Sequence, residues 1–441
     1  MNRHSISVRE IPIPTFLAAL AASSSLILSF ARGIESTSIP DADGYILQAV
    51  SFTKGISYTF ENPDLFTHGI GFSFLMALTF LITDSTSLLY FKILIALSHG
   101  ASTFLLYKIG ERYINSRRLL ISCILLFTFD PFIILPTSDI QTEPITTFLT
   151  LFWLYLFLRE KNNDKKSWFL VLAFAVSGFY TVIMRPNSLL PFLLIAVLLY
   201  RKWISVKLNG YLLSLSIFVF TSLLAAYELF ISILYSGFVF LTPIGGISSA
   251  YMCRKEFIPQ YLGIASKSQN EAINAWSKGG GGVSEVIISN QGNSISNLDS
   301  ELYKMGRESC LSNPIESFGV LFLKAVALWR PFTVFGAYDL TVFLLSFLVW
   351  VPLTITAIRF VTRKKITGDE KLLRNFFLVI SIGYTISLLL TPTQIRHRIA
   401  FAEPFYWIFF FHYLSQHRAK WIIFKTKGLV FYQQYILRRR G

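Results

Sequence analysis

Long apolar stretches separated by short polar connections run through most of this 441-residue chain. A helix of about 20 apolar residues is long enough to cross the hydrocarbon core of a bilayer. The pattern therefore predicts an all-α polytopic integral membrane protein with about ten transmembrane helices. The predicted spans are 11–32, 87–107, 119–136, 144–158, 168–184, 188–200, 211–236, 340–358, 375–391 and 404–416.

Basic residues cluster in the connections that follow alternate predicted spans. Because cytoplasmic loops are enriched in Lys and Arg, we place all of these clusters in the cytoplasm, with both chain termini inside. The clusters lie within 108–118, 159–166, 201–207, 359–374 and 418–440.

Two further apolar stretches, 69–83 and 316–336, cannot be ordinary crossings in this arrangement, because later basic loops would then face outward. We predict that both are re-entrant or interfacial segments on the outer face, where irregular backbone is tolerated if protein buries it. If either stretch crosses instead, the number of spans rises to between 11 and 13.

The spans and loops divide the chain into three parts. Residues 1–236 form an N-terminal transmembrane module with a first outer loop at 33–86, and residues 237–339 form a large outer loop. Residues 340–441 form C-terminal transmembrane helices and a basic tail. The first apolar run is long enough for a signal anchor, which we favour over a cleaved signal peptide.

Composition agrees with a membrane protein and excludes several other classes. The chain is 53% hydrophobic and 15% charged, whereas soluble domains carry roughly a quarter charged residues. The net charge of +15 does not indicate nucleic acid, because the basic residues lie between spans, where they set orientation and contact anionic lipid headgroups. Of the three cysteines, Cys253 and Cys310 share the large outer loop and are disulfide candidates in an oxidising compartment.

Two carboxylates follow the first predicted span directly. Asp41 and Asp43 would lie at the outer membrane boundary, where an acid can take a proton from a hydroxyl or bind a cation. If this segment is helical, Asp41, Tyr45 and Ala49 share one face, since they are four residues apart. The alternatives are an ordinary solvated acid and an N-cap of the helix that follows.

Asp139 and Glu143 flank a short outer turn between two predicted spans. Glu143 precedes Pro144, so it could be a helix-start acid favoured by the helix macrodipole. Asp139 has less obvious structural reason to be there.

A basic cluster lies on the predicted outer face just before the last predicted span, against the positive-inside rule. It consists of Arg396, His397 and Arg398. Arg185 lies similarly at the outer end of an earlier span, where a phosphate or an inward-facing acid would satisfy it. Guanidinium groups bind phosphate bidentately, so an anionic lipid headgroup is a natural partner. A snorkelling interfacial cluster is the alternative.

No phosphate-binding loop, dinucleotide fingerprint or nucleophile elbow is present in the sequence. A soluble nucleotide-sugar site is therefore not encoded. A secondary transporter would be expected to have buried acids within its spans and often an internal repeat. Glu228 is the clear candidate for such an acid, and no internal repeat is evident in the sequence.

Taken together, these motifs resemble those of the polytopic glycosyltransferases of the GT-C superfamily, in particular the protein-mannosyltransferase-like and aminoarabinose-transferase-like branch. The similar segments are Asp41-Ala42-Asp43-Gly44-Tyr45 with Ala49 and Gly55, Gly69 to Phe72, Pro131 to Glu143, Met184-Arg185-Pro186, Asn313-Pro314 to Trp329-Arg330-Pro331, and Arg396 to Pro404. The likeness covers most of residues 1–200 and is weaker afterwards. In two departures, His68-Gly69 replaces a usual Pro-rich stretch, and Asp43 is not adjacent to Asp41, which leaves open which acid is essential.

The resemblance implies a GT-C-like bundle and an inverting transfer of a sugar from a polyprenyl-phosphate donor to an acceptor hydroxyl on the outer face. It implies that Asp41 or Asp43 activates the hydroxyl, and that Arg396, Arg398 and Arg185 bind the donor phosphate. The residues that would shape the acceptor side are Tyr45, Asp139, Glu143 and His397. No cofactor is clearly implied, although Asp41 and Asp43 could contribute to a divalent-cation site.

The acceptor could be a glycan, a lipid or a protein. We favour modification of a surface glycan or lipopolysaccharide at a bacterial inner membrane. The nearest rival functions are an O-antigen-type polysaccharide polymerase and a lipid-linked sugar flippase, and a secondary transporter is a more distant one.

Overall fold

The structure, a computed structural model, describes residues 12–37, 40–54, 69–159, 167–205, 210–234, 241, 252–253, 295–330, 340–364, 366, 368–389 and 400–417. Every regular element among these residues is helical. The α-helices are α1 (Ile13–Arg32), α2 (Pro40–Lys54), α3 (Ile70–Thr83), α4 (Leu88–Gly110), α5 (Arg117–Thr128), α6 (Pro131–Ile134), α7 (Glu143–Arg159), α8 (Ser167–Met184), α9 (Leu189–Ser205), α10 (Gly210–Leu234), α11 (Ile295–Ser312), α12 (Pro314–Trp329), α13 (Leu340–Thr362), α14 (Gly368–Leu389) and α15 (403–417). Two short 3₁₀ turns lie at Leu135–Ser138 and Pro186–Ser188.

Several of these helices are long and apolar enough to cross a membrane, so the chain is a helical membrane protein. Within the described residues, five helices meet that requirement, or seven if each of two bent helix pairs is one span. The five are α1, α4, α10, α13 and α14. Four other apolar helices are shorter, with 10–17 residues.

Two predicted spans differ from the structure for reasons that local capping chemistry explains. The predicted span 119–136 is broken into α5 and the segment Pro131–Ser138, which meet at a bend of 50°. The break follows from Asp130 and Pro131, because Asp130 caps a new helix and Pro131 occupies its first turn. Helix α14 begins at Gly368, earlier than the predicted span 375–391, because its first turn carries Asp369 and Glu370, which favour a helix N-terminus.

The helix contacts define two ends of the bundle. At one, which we call the basic end, Tyr113 donates to the carbonyl of Asp369 at 3.3 Å and its own carbonyl lies 2.8 Å from His412 Nδ1. Arg112 donates there to the carbonyl of Leu158 at 2.6 Å. The opposite, or site end, holds the start of α4 and α7 and the end of α1, α8 and α14. Helices α4, α7, α14 and α15 therefore run from one end to the other.

Helices α2 and α3 form a layer across the site end. A side chain at Gly69 would come within 2.6 Å of the Met184 carbonyl, so the start of α3 touches the end of α8. The connection after α3 is held at the same end, because Ser87 donates to Glu35 at 2.7 Å. Both ends of α3 therefore lie at the site end, the geometry of a helix that does not cross the bundle.

Helices α11 and α12 meet at a bend of 107°. Helix α12 reaches the site end of α14, where Trp329 donates to Thr385 at 2.8 Å. Its N-terminus is capped by Asn313, which accepts from the backbone N–H of Glu316. The stretch 316–336, predicted to be a re-entrant or interfacial segment, therefore corresponds to α12 and its C-cap Arg330. Residues 331–336 lie outside the described residues.

Large aromatic side chains fill the interior of the bundle, whereas apolar side chains also cover its flanks. Trp153, Phe157 and Phe376 are fully buried. On the flanks, Leu97, Phe218 and Leu348 are each more than half exposed. An exposed apolar surface of this kind suits contact with lipid chains rather than with water.

Candidate functional site

Charged and polar residues concentrate at the site end, in and around the segment 137–143. The side chains of Thr137, Ser138, Asp139, Thr142 and Glu143 are all buried. The local sequence explains the shape of this turn: Asp130 accepts from the Phe132 N–H and starts α6, and Pro136 fits the 3₁₀ turn that follows. Because buried polar groups need partners, this turn depends on neighbouring helices.

Arg185 and Glu143, both predicted as site residues, form an ion pair. Arg185 Nη2 lies 3.3 Å from Glu143 Oε1, and the two side chains are only 14% and 7% exposed. Arg185 stands where α8 ends, because the following Pro186 disfavours helical backbone at position 185. Glu143 begins α7, so the pair joins the ends of two antiparallel helices.

Glu143 also lines a small cleft between α4, α6 and α7. The cleft is bordered by His99, Ser102, Thr147 and Thr137 among others. His99 is itself held by the carbonyl of Thr128 at 3.2 Å. This is a small, restricted space beside a carboxylate, large enough for about one water molecule or hydroxyl group.

Asp139 is buried near a lysine that the sequence did not single out. The Asp139 Oδ1 atom accepts from the backbone N–H of Ile140 at 2.8 Å. Asp139 and Glu35 both lie close enough to Lys92 to interact electrostatically with its ammonium. Arg32, at the end of α1, donates to the hydroxyl of Ser138 at 2.9 Å. The buried Asp139 therefore has a buried cation, Lys92, nearby, and the exposed Arg32 and Glu35 lie at the edge of the same group.

The first-loop acids lie on α2, and the structure distinguishes their positions. Asp43 is exposed and accepts from the Thr37 hydroxyl at 3.1 Å. Tyr45 is half-buried with its ring edge-on to Phe72, the centroids 4.7 Å apart. Asp41 is described by its helical backbone alone. In helical register it lies one turn before Tyr45 and two before the buried Gln48, away from the face of Asp43.

A second buried acid cluster lies where α5, α6 and α15 meet. Asp130 is buried, and its Oδ2 atom accepts from Trp407 Nε1 at 3.2 Å. Glu403, at the start of α15, is fully buried and close enough to Asp130 for their charges to interact. These contacts fix the start of α15 against the site end.

Cys253 and Cys310, the predicted disulfide candidates, are joined by a bond of 2.01 Å between their sulfur atoms. The adjacent Met252 carbonyl accepts from the Lys324 ammonium at 3.2 Å, and Lys324 also donates to the carbonyl of Leu389 at 2.7 Å. The disulfide, α12 and the end of α14 are thereby connected at the site end.

Three predicted site residues, Arg396, His397 and Arg398, lie outside the described residues. In the part of the chain that the structure describes, no three His, Cys, Asp or Glu side chains are grouped so that they could hold a metal ion. Because the Asp41 side chain is not described, the suggested cation site at Asp41 and Asp43 stays a prediction.

Sequence reasoning missed Lys92, Arg32, Lys324 and Asp130. Two signals were available: a lysine inside an apolar helix needs a buried partner, as Lys92 and Lys324 do, and an Asp before Pro, as at Asp130, is a common helix cap. Glu228, the acid inside a predicted span, accepts from the backbone N–H of Leu241 at 3.1 Å. That contact gives Glu228 a structural role.

Comparison of the chain with protein families, with curated proteins and with solved structures found no significant match. The class that the fold and the site define is therefore a helical membrane protein with a buried cluster of charged groups at one end of its bundle.

Proposed function

We propose that this protein is an inverting glycosyltransferase that moves a sugar from a polyprenyl-phosphate donor to an acceptor hydroxyl. The observation that carries the proposal is the concentration of buried charged groups at the site end, beneath the acid-bearing layer of α2 and α3. Lys92, Asp139 and Glu143 are buried in this cluster and Arg185 is largely buried, whereas Arg32 borders it from the exposed end of α1. Charged groups in a membrane bundle are costly and usually functional.

The layout also supports a GT-C-like bundle of about ten crossings. In this proposal the ten crossings are the five long helices, the bent pair α5–α6 and the shorter helices α7, α8, α9 and α15, and the bent pair α11–α12 is a re-entrant segment like the layer of α2 and α3. Basic connections collect at the opposite end, which the positive-inside rule places in the cytoplasm. The site would then face outward, as the disulfide in an oxidising compartment also favours.

Asp41 is the better of the two candidate acids for activating the acceptor. Asp43 is exposed and bonded to Thr37, whereas Asp41 is in helical register with the buried Gln48, two turns later. An acid beside a partly enclosed site can be held in a productive orientation, which a solvated side chain cannot.

In the proposed reaction the Asp41 carboxylate takes the proton of the acceptor hydroxyl. The hydroxyl oxygen forms a new bond to the anomeric carbon of the sugar. The bond between that carbon and the phosphate oxygen breaks, and its electron pair leaves with polyprenyl phosphate. Attack from the face opposite the phosphate inverts the anomeric centre.

The growing negative charge on the phosphate needs positive groups in a restricted, poorly hydrated place. Arg185 is suited to this role because Glu143 already orients its guanidinium through one nitrogen. Arg396 and Arg398 are proposed as further phosphate contacts on the strength of the resemblance. Tyr45, Asp139, Glu143 and His397 would shape the acceptor side, and the cleft beside Glu143 offers room for a hydroxyl.

We favour a surface glycan or lipopolysaccharide as acceptor and a bacterial inner membrane as location. The experiment measures transfer from radiolabelled polyprenyl-phosphate sugars by purified protein in lipid, with membrane extract as acceptor. Asp41→Asn should abolish transfer while donor binding persists, because the amide cannot take the proton.

Asp43→Asn is the matched control, since it makes the same chemical change two residues away on the exposed side of α2. It should retain most of the transfer rate. Equal loss in both variants would contradict the role of Asp41, and normal transfer by Asp41→Asn would remove it altogether. Lengthening of a lipid-linked glycan would instead favour the polymerase.

A further inference from the structure

The connection between α1 and α2 is held onto the start of α4 from both directions. Lys92 is fully buried in the second turn of α4, and its ammonium donates to the main-chain carbonyls of Gly33 at 3.3 Å and Ser36 at 3.0 Å. In return, Glu35 accepts from the Ser87 hydroxyl at 2.7 Å and from the Leu88 N–H at 3.3 Å. We name these four contacts the α1–α2 clamp.

Helix physics explains why a lysine occurs there. The last carbonyls of a helix lack intrahelical partners and carry the negative end of the macrodipole. Gly33, which ends α1 with φ of 92°, directs the chain away from the helix axis, and the buried ammonium satisfies carbonyls beyond that point. At the other side, Glu35 satisfies an N–H at the positive end of α4. Each charge thus complements a helix terminus.

The clamp lies immediately before the acid-bearing helix. Residue 36 is held by Lys92, Thr37 donates to Asp43, and α2 begins at Pro40. Because so few residues separate the clamp from Asp41, the position of the clamp fixes where α2 starts. The α2 residues Ala42 and Ala49 are fully buried, so this placement has little freedom once set.

We propose that Lys92 and Glu35 are positioning residues that set the location of α2, and with it the acid of the proposed transfer reaction. The inference rests on the proposed function for its catalytic consequence, but the placement of α2 by the clamp can be measured independently. Lys92 acts through α2 and does not itself take part in bond making.

Lys324 provides a matched control within the same chain. It is also a fully buried lysine at the site end that donates to two main-chain carbonyls, those of Met252 and Leu389. It holds a different connection and does not bond to residues 33–37. Lys92→Met and Lys324→Met therefore make the same chemical change at two comparable places.

The first measurement is a distance between spin labels on α2 and α4, with the protein in lipid nanodiscs. Leu47→Cys and Leu97→Cys provide exposed labelling positions, and Cys123, which is buried, is replaced by Ala. Lys92→Met should shift and broaden the distance distribution, whereas Lys324→Met should leave it as in the parent. Lys92→Arg, which keeps a cation able to donate to both carbonyls, should restore part of it.

An unchanged distribution in Lys92→Met, or an equal change in Lys324→Met, would overturn the positioning role. If Lys92→Met does not yield folded protein, Glu35→Gln serves as the second variant, because it weakens the clamp from the exposed side. It should shift the same distance in the same direction, and an unchanged distance would again overturn the role.

The second measurement separates kcat from KM in the transfer assay. A misplacement of reacting groups by about 1 Å can cost about a hundredfold in rate, and Lys92 has no proposed contact with the donor. Lys92→Met should therefore lower kcat by about that factor at an unchanged donor KM. Loss of folded protein alone would change neither the KM nor the turnover per folded molecule. If wild type shows no transfer but the label distance still responds to Lys92→Met, the proposed function fails and the clamp stands.

Discussion

At the scale of single residues, the ion pair of Arg185 and Glu143 shows how the site is built. The sequence indicated that either a phosphate or an inward-facing acid would satisfy Arg185, but it did not identify Glu143 as that acid, because the two residues are 42 positions apart. Their contact at 3.3 Å depends on α7 and α8 being antiparallel neighbours. The pairing of Arg185 with Glu143 therefore follows from the packing of α7 against α8 and is not visible in the spacing of residues along the sequence.

The pair gives a stability prediction. Arg185→Met leaves the Glu143 carboxylate buried without its cation, and removing one member of a buried pair typically costs about 3–5 kcal/mol. The double variant Arg185→Met with Glu143→Gln should lose less, because no charge is stranded. Thermal unfolding in detergent should rank wild type above the double variant and the double variant above the single one. Identical melting temperatures for the two variants would contradict the pair's geometry.

Lys92 marks the limit of sequence reading at this scale. A lysine four residues inside an apolar helix is visible in the sequence, but its carbonyl partners belong to a connection 56 or more positions away. Snorkelling and buried bonding give the same sequence pattern. Only the packing of α1 against α4 decides between them.

At the scale of elements, apolar length predicted most long helices well, and local capping chemistry decided the differences. The predicted spans 11–32, 87–107 and 211–236 correspond to α1, α4 and α10. The break at Asp130–Pro131 arises because a cap and a proline act within one apolar stretch. Helix α11 was missed because its polar composition, including Asp299 and Glu301, does not form a span pattern.

The position of the α2–α3 layer depends on the close packing of the start of α3 against the end of α8. A methyl group at Gly71 would come within 2.7 Å of the Met184 backbone nitrogen and of the Ile183 side chain. Gly71→Ala should therefore push α3 away, with a penalty of about 1–3 kcal/mol typical of overpacking. Transfer activity should fall with it, since the layer carries the proposed acid.

Gly319→Ala is the control for that substitution. It also lies within an apolar helix, but a methyl group there meets nothing within 4 Å. Because alanine is the better helix former by about 1 kcal/mol, this variant should be as stable as wild type or slightly more so. Thermal unfolding and the transfer rate measured on both variants check the prediction; equal effects would show that α3 is not tightly seated.

At the scale of the whole molecule, the two ends of the bundle differ in chemistry. The basic end gathers the exposed Arg112 and Arg363, the half-buried Glu370 and the buried His412. The site end gathers buried charges and the disulfide. The positive-inside rule therefore predicts that the site end is extracytoplasmic.

Cysteine labelling tests this orientation and the placement of α3 together. Lys54→Cys and Thr86→Cys introduce exposed thiols before and after α3, and Lys364→Cys introduces one at the basic end. A membrane-impermeant maleimide should label the first two in intact cells and the third only after permeabilisation. Opposite accessibility of Lys54→Cys and Thr86→Cys would mean that α3 crosses the membrane.

Glycosyl transfer itself is tested most directly by single-turnover incubation of the purified wild-type protein, in lipid, with labelled polyprenyl-phosphate sugars and membrane extract. The account predicts that at least one donor is consumed, with polyprenyl phosphate released in the same amount as label transferred to the acceptor. If every labelled donor tested binds but none is cleaved, the result would contradict a transferase and favour a protein that binds or moves lipid-linked sugars.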